Sequence, residues 1–365
     1  MANEIIFIAD GRDFHAVDWH RNIKRVCPQR EIYFATDLLE AEGQPRILNE
    51  TDKVLKLAIV DKYLLKRQSN FGNKWRNTLK VLFFPKQVHR LKKIAKEFPN
   101  AIFHAHTMYY LFISWLAGIK YIGSPQGDEI LIRPYRSKMY RFFAIKSLDA
   151  SEHLIVDSQN LRNGIESLCG KEADVIQYGI DVDEIQKSIV DISTRDKVVS
   201  IRALYPLYRI HEIIEARNSS MPNFGLSFFY PFCEAGYKSR IIEMSHSNDV
   251  HLGRIPTKME VYRTLANSIM AISIPESDSS PRSVYESIFC GCCLVVADNP
   301  WINSLPSCMK ARVYIADLKD KQWFSKAYQF ANNLVNDKFI PTEDALNMFD
   351  QLRSMALVAK KYYRN

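Results

Sequence analysis

Two carboxylates, Asp278 and Glu286, stand eight positions apart in the segment that covers residues 273–301. The segment starts with SIPESD and, from Ser280 onward, continues as SPRSVYESIFCGCCLVVADNPW. Its pattern predicts a strand end, a polar loop containing Asp278, an amphipathic helix over 282–291 and a second apolar strand. Glu286 falls one turn inside this helix, whose start offers free backbone N–H groups and a positive dipole end that suit a phosphate. Because a carboxylate also accepts hydrogen bonds from two hydroxyls at once, as vicinal sugar hydroxyls require, the segment predicts a site for a phosphate joined to sugars.

Short apolar strands alternate with helix-length segments along the whole chain, and they fall into two series. We expect the first series at 4–10, 31–37, 101–106, 121–126, 153–158 and 173–179, and the second at 197–204, 225–231, 249–254, 269–275, 293–298 and 311–317. Strand–helix alternation that occurs twice predicts an α/β protein with two doubly wound, Rossmann-like parallel sheets. Ligands of such sheets bind at the carboxyl ends of the strands, and a cleft between two facing domains is the default site.

The polar, acid-rich stretch 179–197 separates the two series and indicates a domain boundary. We expect an N-terminal Rossmann-like domain over 1–180 and a C-terminal Rossmann-like domain over 181–345. The remaining residues, 346–365, are expected to form a C-terminal helix that packs back on the first domain. A chain of 365 residues with 47% hydrophobic content is long and apolar enough for two such cores.

Composition also bears on where the protein works. The longest apolar run, YYLFISWLAGI over 109–119, is too short to span a bilayer, and the start MANEIIFIAD predicts a buried strand instead of a secretory signal. Seven cysteines without paired C-x-x-C modules favour reduced thiols in a cytoplasm. Cys290, Cys292 and Cys293 lack a second half-site for a metal, so small buried residues are the better interpretation.

Basic charge is concentrated in the first half of the chain. Residues 1–180 hold 27 Lys and Arg against 20 Asp and Glu, whereas the remaining residues hold 22 against 21. The stretch 62–96 contains no acid and interleaves lysines and arginines with aromatic residues, and a second acid-free run covers 130–148. Such a mixture suits an anionic membrane surface, so we expect a cytoplasmic protein peripherally attached to the inner face of a membrane. Solvated helix faces and nucleic acid are the alternatives.

Three segments of the second half resemble the donor domain of retaining glycosyltransferases of family 4, which have the GT-B architecture. The stretch from Asp278 to Asp298, which includes SPRSVYESIFCGCCLVVAD, resembles the family signature of an acid, seven residues and a Glu before a helix that ends in Gly. SIRALYPLYRIHEIIEA (200–216) resembles its strand-end Arg followed by a second cation, and VHLGRIPTKMEVYRTLANS (250–268) resembles its strand, Gly-Arg and helix.

The resemblance implies that the first domain, 1–180, binds the acceptor and that the second, 181–345, binds the nucleotide-sugar donor. It also implies a role for each of these residues. Arg202 and Arg209 would bind the donor diphosphate, and Glu286 the ribose hydroxyls. Asp278 would lie near the donor sugar, with Glu276 as a rival, and Arg254 and Ile255 would flank the base. The start of the helix would complete the donor site through Ser280, Pro281, Arg282, Ser283 and Val284.

The first half adds weaker matches to the same family. FHAHT (103–107) resembles a His-x-His segment that implies His106 at the reaction centre, and PQGDEIL (125–131) resembles a His-Gly-x-Asp turn in which Gln126 replaces the His. Asp181-Val-Asp183 imitates a D-x-D metal motif, but its context predicts a loop between domains. The first loop, ADGRDFHAVDW (9–19), is poor in Gly for this family. We expect Gly11 there to approach the donor phosphate, and we expect Arg12, His15, Gln126 and Asp128 to contact the acceptor.

The implied function is transfer of a sugar from a UDP- or GDP-linked donor to a saccharide or polyprenyl-linked acceptor, with retention of configuration and without a metal or other cofactor. A role in lipopolysaccharide, O-antigen or capsule synthesis follows if the basic half docks on a membrane. A nucleotide-sugar epimerase of the same fold and a basic nucleic-acid-binding protein are the alternatives. The nucleic-acid alternative leaves Asp278, Glu286 and the LGRI segment without a purpose.

Overall fold

The structure is a computed structural model that describes residues 4–67, 69–189, 194–276, 278 and 281–363, without the side chain of Asn70. The chain divides into two compact units. Unit 1 contains residues 1–178 together with 352–365, and unit 2 contains residues 179–351. The described residues contain no helix that is long and apolar enough to cross a membrane.

Unit 1 is built on a parallel sheet that, within the described residues, has seven strands in the order β3-β2-β1-β4-β5-β6-β7. The strands are β1 (Glu4–Ile8), β2 (Glu31–Thr36), β3 (Lys53–Lys56), β4 (Ile102–His106), β5 (Ile122–Ser124), β6 (His153–Val156) and β7 (Asp174–Val175). The helices are α1 (Phe14–Val26), α2 (Asn70–Glu97), α3 (Met108–Ala117), α4 (Gly127–Leu131), α5 (Arg133–Arg136), α6 (Lys138–Ala150) and α7 (Gln159–Cys169).

Unit 2 repeats this plan with a parallel sheet of six described strands in the order β10-β9-β8-β11-β12-β13. These are β8 (Lys197–Ser200), β9 (Ser227–Phe229), β10 (Val250–Gly253), β11 (Ser268–Ser273), β12 (Cys293–Val296) and β13 (Val313–Ile315). The helices are α8 (Val182–Ser188), α9 (Ile210–Ser220), α10 (Ala235–Met244), α11 (Lys258–Ala266), α12 (Arg282–Phe289), α13 (Ser307–Lys310), α14 (Trp323–Asn333) and α15 (Glu343–Phe349). The last helix, α16 (Gln351–Tyr362), returns the chain to unit 1.

The alternation of side chains along the strands places one core on each face of each sheet. In β1, Ile5 and Phe7 pack with α1 and α16, whereas Ile6 and Ile8 pack with α2, α3, α6 and α7. This arrangement follows from the period of two in a strand, and burial on both faces explains the continuous apolar runs. The predicted α/β class with two doubly wound sheets is confirmed.

Each predicted strand is present within its predicted bounds, give or take one residue, and the sequence patterns missed only β3 among the described strands. Its four residues are only half-buried or exposed, because β3 is an edge strand of the sheet. Short polar side chains begin several helices, as at Asp13 before α1 and Ser158 before α7, and a left-handed glycine follows the last residue of α7 at Gly170.

Candidate functional site

The strand order of unit 2 reverses at β8, which lies between β9 and β11. The chain leaves β8 toward one side and β11 toward the other, and a crevice between the two carboxyl ends is where open α/β sheets bind ligands. The loop after β8 and the loop after β11 are joined there by a hydrogen bond from the Glu276 N–H to the Leu207 carbonyl, 3.0 Å long. Both predicted diphosphate cations lie on the first loop and both candidate acids on the second.

Arg202 is held in this crevice by three neighbours. Its Nε donates to Oγ of Ser273 at 2.7 Å, and its terminal nitrogen donates to the carboxylate of Asp278. The guanidinium carbon lies 5.5 Å from the centroid of the Tyr208 ring, within cation–π range. Since the side chains of Arg202 and Asp278 are 13% and 18% exposed, the pair is shielded but open to a ligand.

Arg209 precedes α9 with a left-handed backbone, φ 53°, in the position that caps the helix. Its Nε lies 3.7 Å from a carboxylate oxygen of Glu212 and 3.9 Å from one of Glu276. The Glu276 side chain is 60% exposed. The two acids that competed for the donor-sugar role thus contact different cations, Asp278 with Arg202 and Glu276 with Arg209.

The start of α12 brings Glu286 into a small hydrogen-bonded group. The Tyr262 hydroxyl donates to Oε1 of Glu286 at 3.1 Å, and Nε of Arg282 lies 3.4 Å from the same oxygen. Arg282 also donates to Oε1 of Gln351 at 3.0 Å. Burial and the neighbouring Glu286 raise the pKa of the Tyr262 hydroxyl well above its usual value, so this hydroxyl stays a donor. The side chain of Glu286 remains 14% exposed.

The other predicted donor residues of unit 2 lie near the same edge of the sheet. Pro281 is buried at the cap of α12, Ser283 is half-buried and Val284 is buried in the core. Arg254 is exposed and Ile255 half-buried after β10, where Gly253 has a positive φ of 61° that favours glycine. Ser280 lies outside the described residues.

A cavity of about 540 Å³ opens at the carboxyl edge of the unit 1 sheet, and we call it the polar pocket. It lies where the strand order of this sheet reverses, at β1 between β2 and β4. Its charged lining residues are Asp10, Arg12, Asp13, Arg76, Lys80, Glu129 and Arg133, and its aromatic ones are Tyr109, Phe112 and Tyr140.

Charged side chains in the polar pocket are largely paired, either with one another or with acids next to the lining. Arg12 contacts Asp10 at 3.3 Å and Glu42 at 3.1 Å, and Arg76 contacts the same oxygen of Glu42 at 2.6 Å. Lys80 lies 3.4 Å from the buried carboxylate of Asp37 and 4.3 Å from the Tyr109 ring centroid. Paired charges beside aromatic rings suit the hydroxyls and the apolar face of a sugar ring.

Glu129 is the buried acid of the polar pocket, and sequence reasoning missed it. One of its oxygens accepts the backbone N–H of Met108 at 2.8 Å and that of Gln126 at 3.1 Å, which caps the starts of α3 and α4. Burial raises its pKa to about 7, although these bonds and the nearby Arg133 oppose the rise. The only sequence signal is the capping-box spacing between Gln126 and Glu129.

His106 at the end of β4 is completely buried. Its ring packs against Phe7 and Trp19, with ring centroids 4.4 Å and 4.7 Å away. Neither ring nitrogen has a hydrogen-bond partner among the described residues. Burial and the neighbouring His104 hold the pKa of His106 well below its usual value, so the ring is neutral.

The structure places the remaining unit 1 candidates in different settings. Gly11 donates its N–H to Thr36 and Leu38, and a Cβ here would lie 2.5 Å from the Leu38 carbonyl oxygen, so packing explains this glycine. His15 is exposed on the first turn of α1. Gln126 donates to Asp13 at 3.3 Å, and Asp128 pairs with Arg133 at 2.8 Å.

Asp181, the first acid of the D-x-D segment, takes part in the local structure of unit 2. The Asp181 side chain accepts the backbone N–H of Glu184 and so caps α8. Within the described residues, no group of three His, Cys, Asp or Glu side chains is arranged to hold a metal ion.

Comparisons with solved structures identify the architecture of the chain. No protein-family model and no curated protein sequence matches the chain. Solved structures do match, among them Anabaena HepE in complex with UDP and glucose, at 14% identity and a TM-score of 0.70 over 100% of both chains. The chain has the GT-B fold.

Two further structures with this fold cover nearly the whole chain. Sucrose-phosphate synthase from Thermosynechococcus elongatus matches at 10% identity with a TM-score of 0.74, covering 99% of this chain and 98% of its own. Trehalose-6-phosphate synthase, OtsA, matches at 12% identity with a TM-score of 0.66, covering 98% and 96%. This chain therefore shares the GT-B fold with these proteins although their sequences are only 10–14% identical to it.

Proposed function

We propose that the protein is a glycosyltransferase in which unit 2 binds a nucleotide-sugar donor and unit 1 binds the acceptor. The observation that carries the proposal is the convergence of Arg202 and Arg209 with Asp278 and Glu276 at the reversal point of the unit 2 sheet. The GT-B fold supports it, since HepE with this fold was solved with bound UDP and UDP-glucose.

In this proposal, each part of the nucleotide-sugar donor has a matching side chain. Arg202 and Arg209 bind the diphosphate, Glu286 accepts the ribose hydroxyls, and Arg254 and Ile255 lie beside the base. Asp278 faces the donor sugar once the diphosphate replaces it on Arg202. The first turn of α12, from Pro281 to Val284, adds its backbone N–H groups.

Cleavage of the bond between the sugar and the diphosphate leaves negative charge on the leaving group. Arg202 and Arg209 stabilise this charge, and one such preorganised donor contributes about 3–4 kcal/mol. Because these two cations can supply the charge, transfer proceeds without a divalent metal in this proposal. Retention of configuration and the role of His106 are inferred from the family resemblance alone, and the buried His106 ring would have to become accessible.

A nucleotide-release screen tests this proposal. Purified protein is incubated with UDP-, GDP- and ADP-sugars, with and without lipid-linked and soluble saccharides, and both products are identified. We expect one donor to release nucleotide and form a glycoside whose anomeric configuration is that of the donor, at a rate unchanged by EDTA. Abolition by EDTA with rescue by manganese would contradict the metal-independent mechanism. Epimerised donor without glycoside would contradict the transferase itself.

We also propose that unit 1 docks on an anionic membrane, where a surface polysaccharide precursor is extended. The first half of α2 exposes apolar side chains at Phe71, Val81 and Leu82, which are 69%, 72% and 65% exposed. The helix α6 exposes Met139 and Phe142. The second half of α2 exposes Lys86, Lys92, Lys93 and Lys96, and each such residue near an anionic leaflet contributes about 1 kcal/mol.

The aromatic residues of the basic stretch 62–96 differ in their exposure. Phe83 and Phe84 are half-buried against Tyr63 and Tyr109, with ring centroids 5.5 Å and 5.9 Å apart. They belong to the packing of unit 1, whereas Phe71 is available to a membrane.

Liposome sedimentation tests the membrane proposal. The variant K92E/K93E/K96E should bind anionic liposomes less than wild type, most clearly at low salt, with donor hydrolysis unchanged. The variant K319E/K321E/K338E carries the same charge change on exposed residues of unit 2 and should bind like wild type. The membrane proposal would be contradicted if wild-type protein did not sediment with anionic liposomes at low salt.

A further inference from the structure

A second cavity of about 770 Å³ opens at the carboxyl edge of the unit 1 sheet, beyond the ends of β2 and β3. We call it the basic basin. Its cations are all exposed, and its apolar lining is largely half-buried. The cations are Arg46, Lys56, Lys62 and Lys66, and the half-buried apolar side chains are Leu39, Ile59 and Leu64.

Cations in the basic basin outnumber the acids available to them. Within the described part of the chain, no carboxylate forms an ion pair with Lys56, Lys62 or Lys66. Two of the acids in the lining are already engaged. Glu42 is shared by two arginines, and the carboxylate of Asp61 accepts the backbone N–H groups of residues 39 and 40.

The wall between the basic basin and the polar pocket is held in an unusual backbone conformation. Three consecutive residues have positive φ, with 147° at Ala41, 55° at Glu42 and 77° at Gly43. Such conformations cost on the order of 1–3 kcal/mol at each non-glycine residue, so the surrounding structure must hold them. Two arginines bind the buried Glu42 side chain, and Ala41 and Gln44 exchange two backbone hydrogen bonds. The wall is therefore rigid in shape before a ligand arrives.

The two cavities lie on either side of this wall, because Gln44 lines both of them and Glu42, which lines the basic basin, binds two arginines of the polar pocket. Their chemistry differs. The polar pocket has paired charges and aromatic rings, which suit an uncharged sugar, whereas the basic basin has unpaired lysines, which suit a phosphate ester. A single ligand that lies across the shared wall would present a sugar to one cavity and a phosphate to the other.

We infer that the acceptor is a phosphate-bearing saccharide, with its sugar ring in the polar pocket and its phosphate in the basic basin. This inference rests on the proposed function for its transfer step, but not for its binding step. The phosphate can belong to a free sugar phosphate or to the diphosphate of a lipid-linked saccharide, and the two sources share the chemistry that the lysines recognise.

Lysine acetylation read by mass spectrometry tests the binding step directly on the full chain. Protein is treated with acetic anhydride in the presence of glucose 6-phosphate, glucose or inorganic phosphate at equal concentration. We expect glucose 6-phosphate to protect Lys56, Lys62 and Lys66 about tenfold, and the other two ligands to protect them much less. Lys319 and Lys321, which are exposed and line neither cavity, should be modified equally in all samples.

A second arm with a polyprenyl-diphosphate-linked saccharide in detergent identifies the source of the phosphate. Protection by either phosphate-bearing ligand supports the inference and names its source. Equal modification with every ligand would overturn it, as would protection by inorganic phosphate as strong as that by either sugar-bearing ligand.

The transfer step has its own variant and control. K62Q/K66Q should raise the KM for the phosphate-bearing acceptor about tenfold with little change in kcat, and K319Q/K321Q, on exposed residues of unit 2, should behave like wild type. Calorimetry with UDP, GDP and ADP on the same proteins reports on unit 2 alone. Wild-type protein that binds none of these nucleotides would count against the proposed function, whereas an unchanged KM in K62Q/K66Q would count against the basic basin.

Discussion

Glu286 shares a single carboxylate oxygen between the Tyr262 hydroxyl and the Arg282 guanidinium. These two partners fix the direction of the carboxylate before any ligand binds. A ribose that lies against it would therefore meet a preorganised acceptor, and the sequence spacing alone could not show this because Tyr262 lies on another helix.

Replacing Glu286 by Gln is expected to weaken nucleotide-sugar binding about tenfold or more, since two hydroxyls lose a charged acceptor worth about 1.5–3 kcal/mol. Calorimetric titration of the donor measures the change, and circular dichroism checks that the fold survives. E260Q, on an exposed side chain of α11, is the matched control. Wild-type affinity in E286Q would remove this residue from the donor site.

The pair Arg217–Asp249 is a completely buried ion pair of unit 2, with two contacts of 2.9 Å and both side chains at 0% exposure. Asp249 also accepts the N–H groups of Leu226 and His246, and Arg217 holds the pKa of this carboxyl below its usual value despite burial. These hydrogen bonds therefore hold α9 against the segments that precede β9 and β10, so the role of the ion pair is structural.

We expect Arg217→Ala to lower the free energy of unfolding by about 3–5 kcal/mol, because it leaves Asp249 charged and unpaired in the interior. Urea denaturation of both variants measures the change against R240A, whose arginine is exposed on α10. A loss no greater than that of R240A would show that the pair is dispensable.

Residue proximity at the site was predictable only where strand order determines it. Arg202 and Asp278 follow neighbouring strands of one sheet, so the carboxyl-end rule was enough to place them together. The bonds of Glu42 to Arg12 and Arg76 depend on a strained loop and on one face of α2, which no local pattern encodes. The same is true of Glu129, whose burial follows from packing.

At the scale of the elements, buried parallel strands were the easiest to predict. Strands such as β1 and β11 are continuous apolar runs because helices cover both faces of their sheets. The edge strand β3 is short and only partly covered, so its four residues carry no comparable signal. The sequence shows that 62–96 is an unusually basic stretch, but it does not predict which of these cations line a pocket and which face solvent. Arg76 and Lys80 turn into the polar pocket, and Lys92 and Lys93 face solvent.

The helix α16 is attached to unit 1 through the residue that follows it. The Tyr363 hydroxyl and Nδ1 of His104 share a hydrogen bond of 2.5 Å, while Nε2 of His104 is 2.8 Å from the Ser124 hydroxyl. All these groups are buried, and the Tyr363 ring packs among side chains of the sheet and α1. Lys361 and Tyr362 add contacts to Asp174.

Tyr363→Phe should lower the free energy of unfolding by about 1–3 kcal/mol, because it leaves a buried histidine nitrogen without a partner. Thermal and urea denaturation measure the loss, and Y135F, at an exposed tyrosine of α5, is the control. Equal stability of the two variants would mean that the hydrogen bond contributes nothing to the attachment of α16.

At the scale of the whole molecule, buried histidines make stability depend on pH. Burial lowers the pKa of His20 to about 4, against the raising influence of Asp52 and with help from Lys24, and it lowers the pKa of His104 to about 3. A histidine whose folded pKa lies below its unfolded value stabilises the fold fully above pH 6.5 and loses that contribution as pH falls toward the folded pKa. Glu129 acts in the opposite direction, since its pKa of about 7 makes it favour folding more as pH falls.

We expect wild-type protein to lose stability between pH 7 and pH 5, since His20, His104 and the equally buried His106 each cost about 2 kcal/mol at pH 5 and Glu129 offsets about 2 kcal/mol of the total. Glu129→Gln should steepen this loss by about 2 kcal/mol over the same range. Urea denaturation at several pH values measures both slopes. Parallel slopes in the two proteins would contradict the assignment of a raised pKa to Glu129.

Unit 1 is discontinuous in the chain, because Leu352 and the residues after it complete a core that begins at β1. During synthesis, the residues up to Tyr178 leave the ribosome long before their final helix has been made. At roughly 5–20 residues per second, the wait is on the order of ten seconds or more. Throughout that time, the side of the sheet carrying Ile5, Phe7 and Phe34 lacks part of its cover. We therefore expect nascent unit 1 to keep this apolar side partly exposed until translation reaches α16.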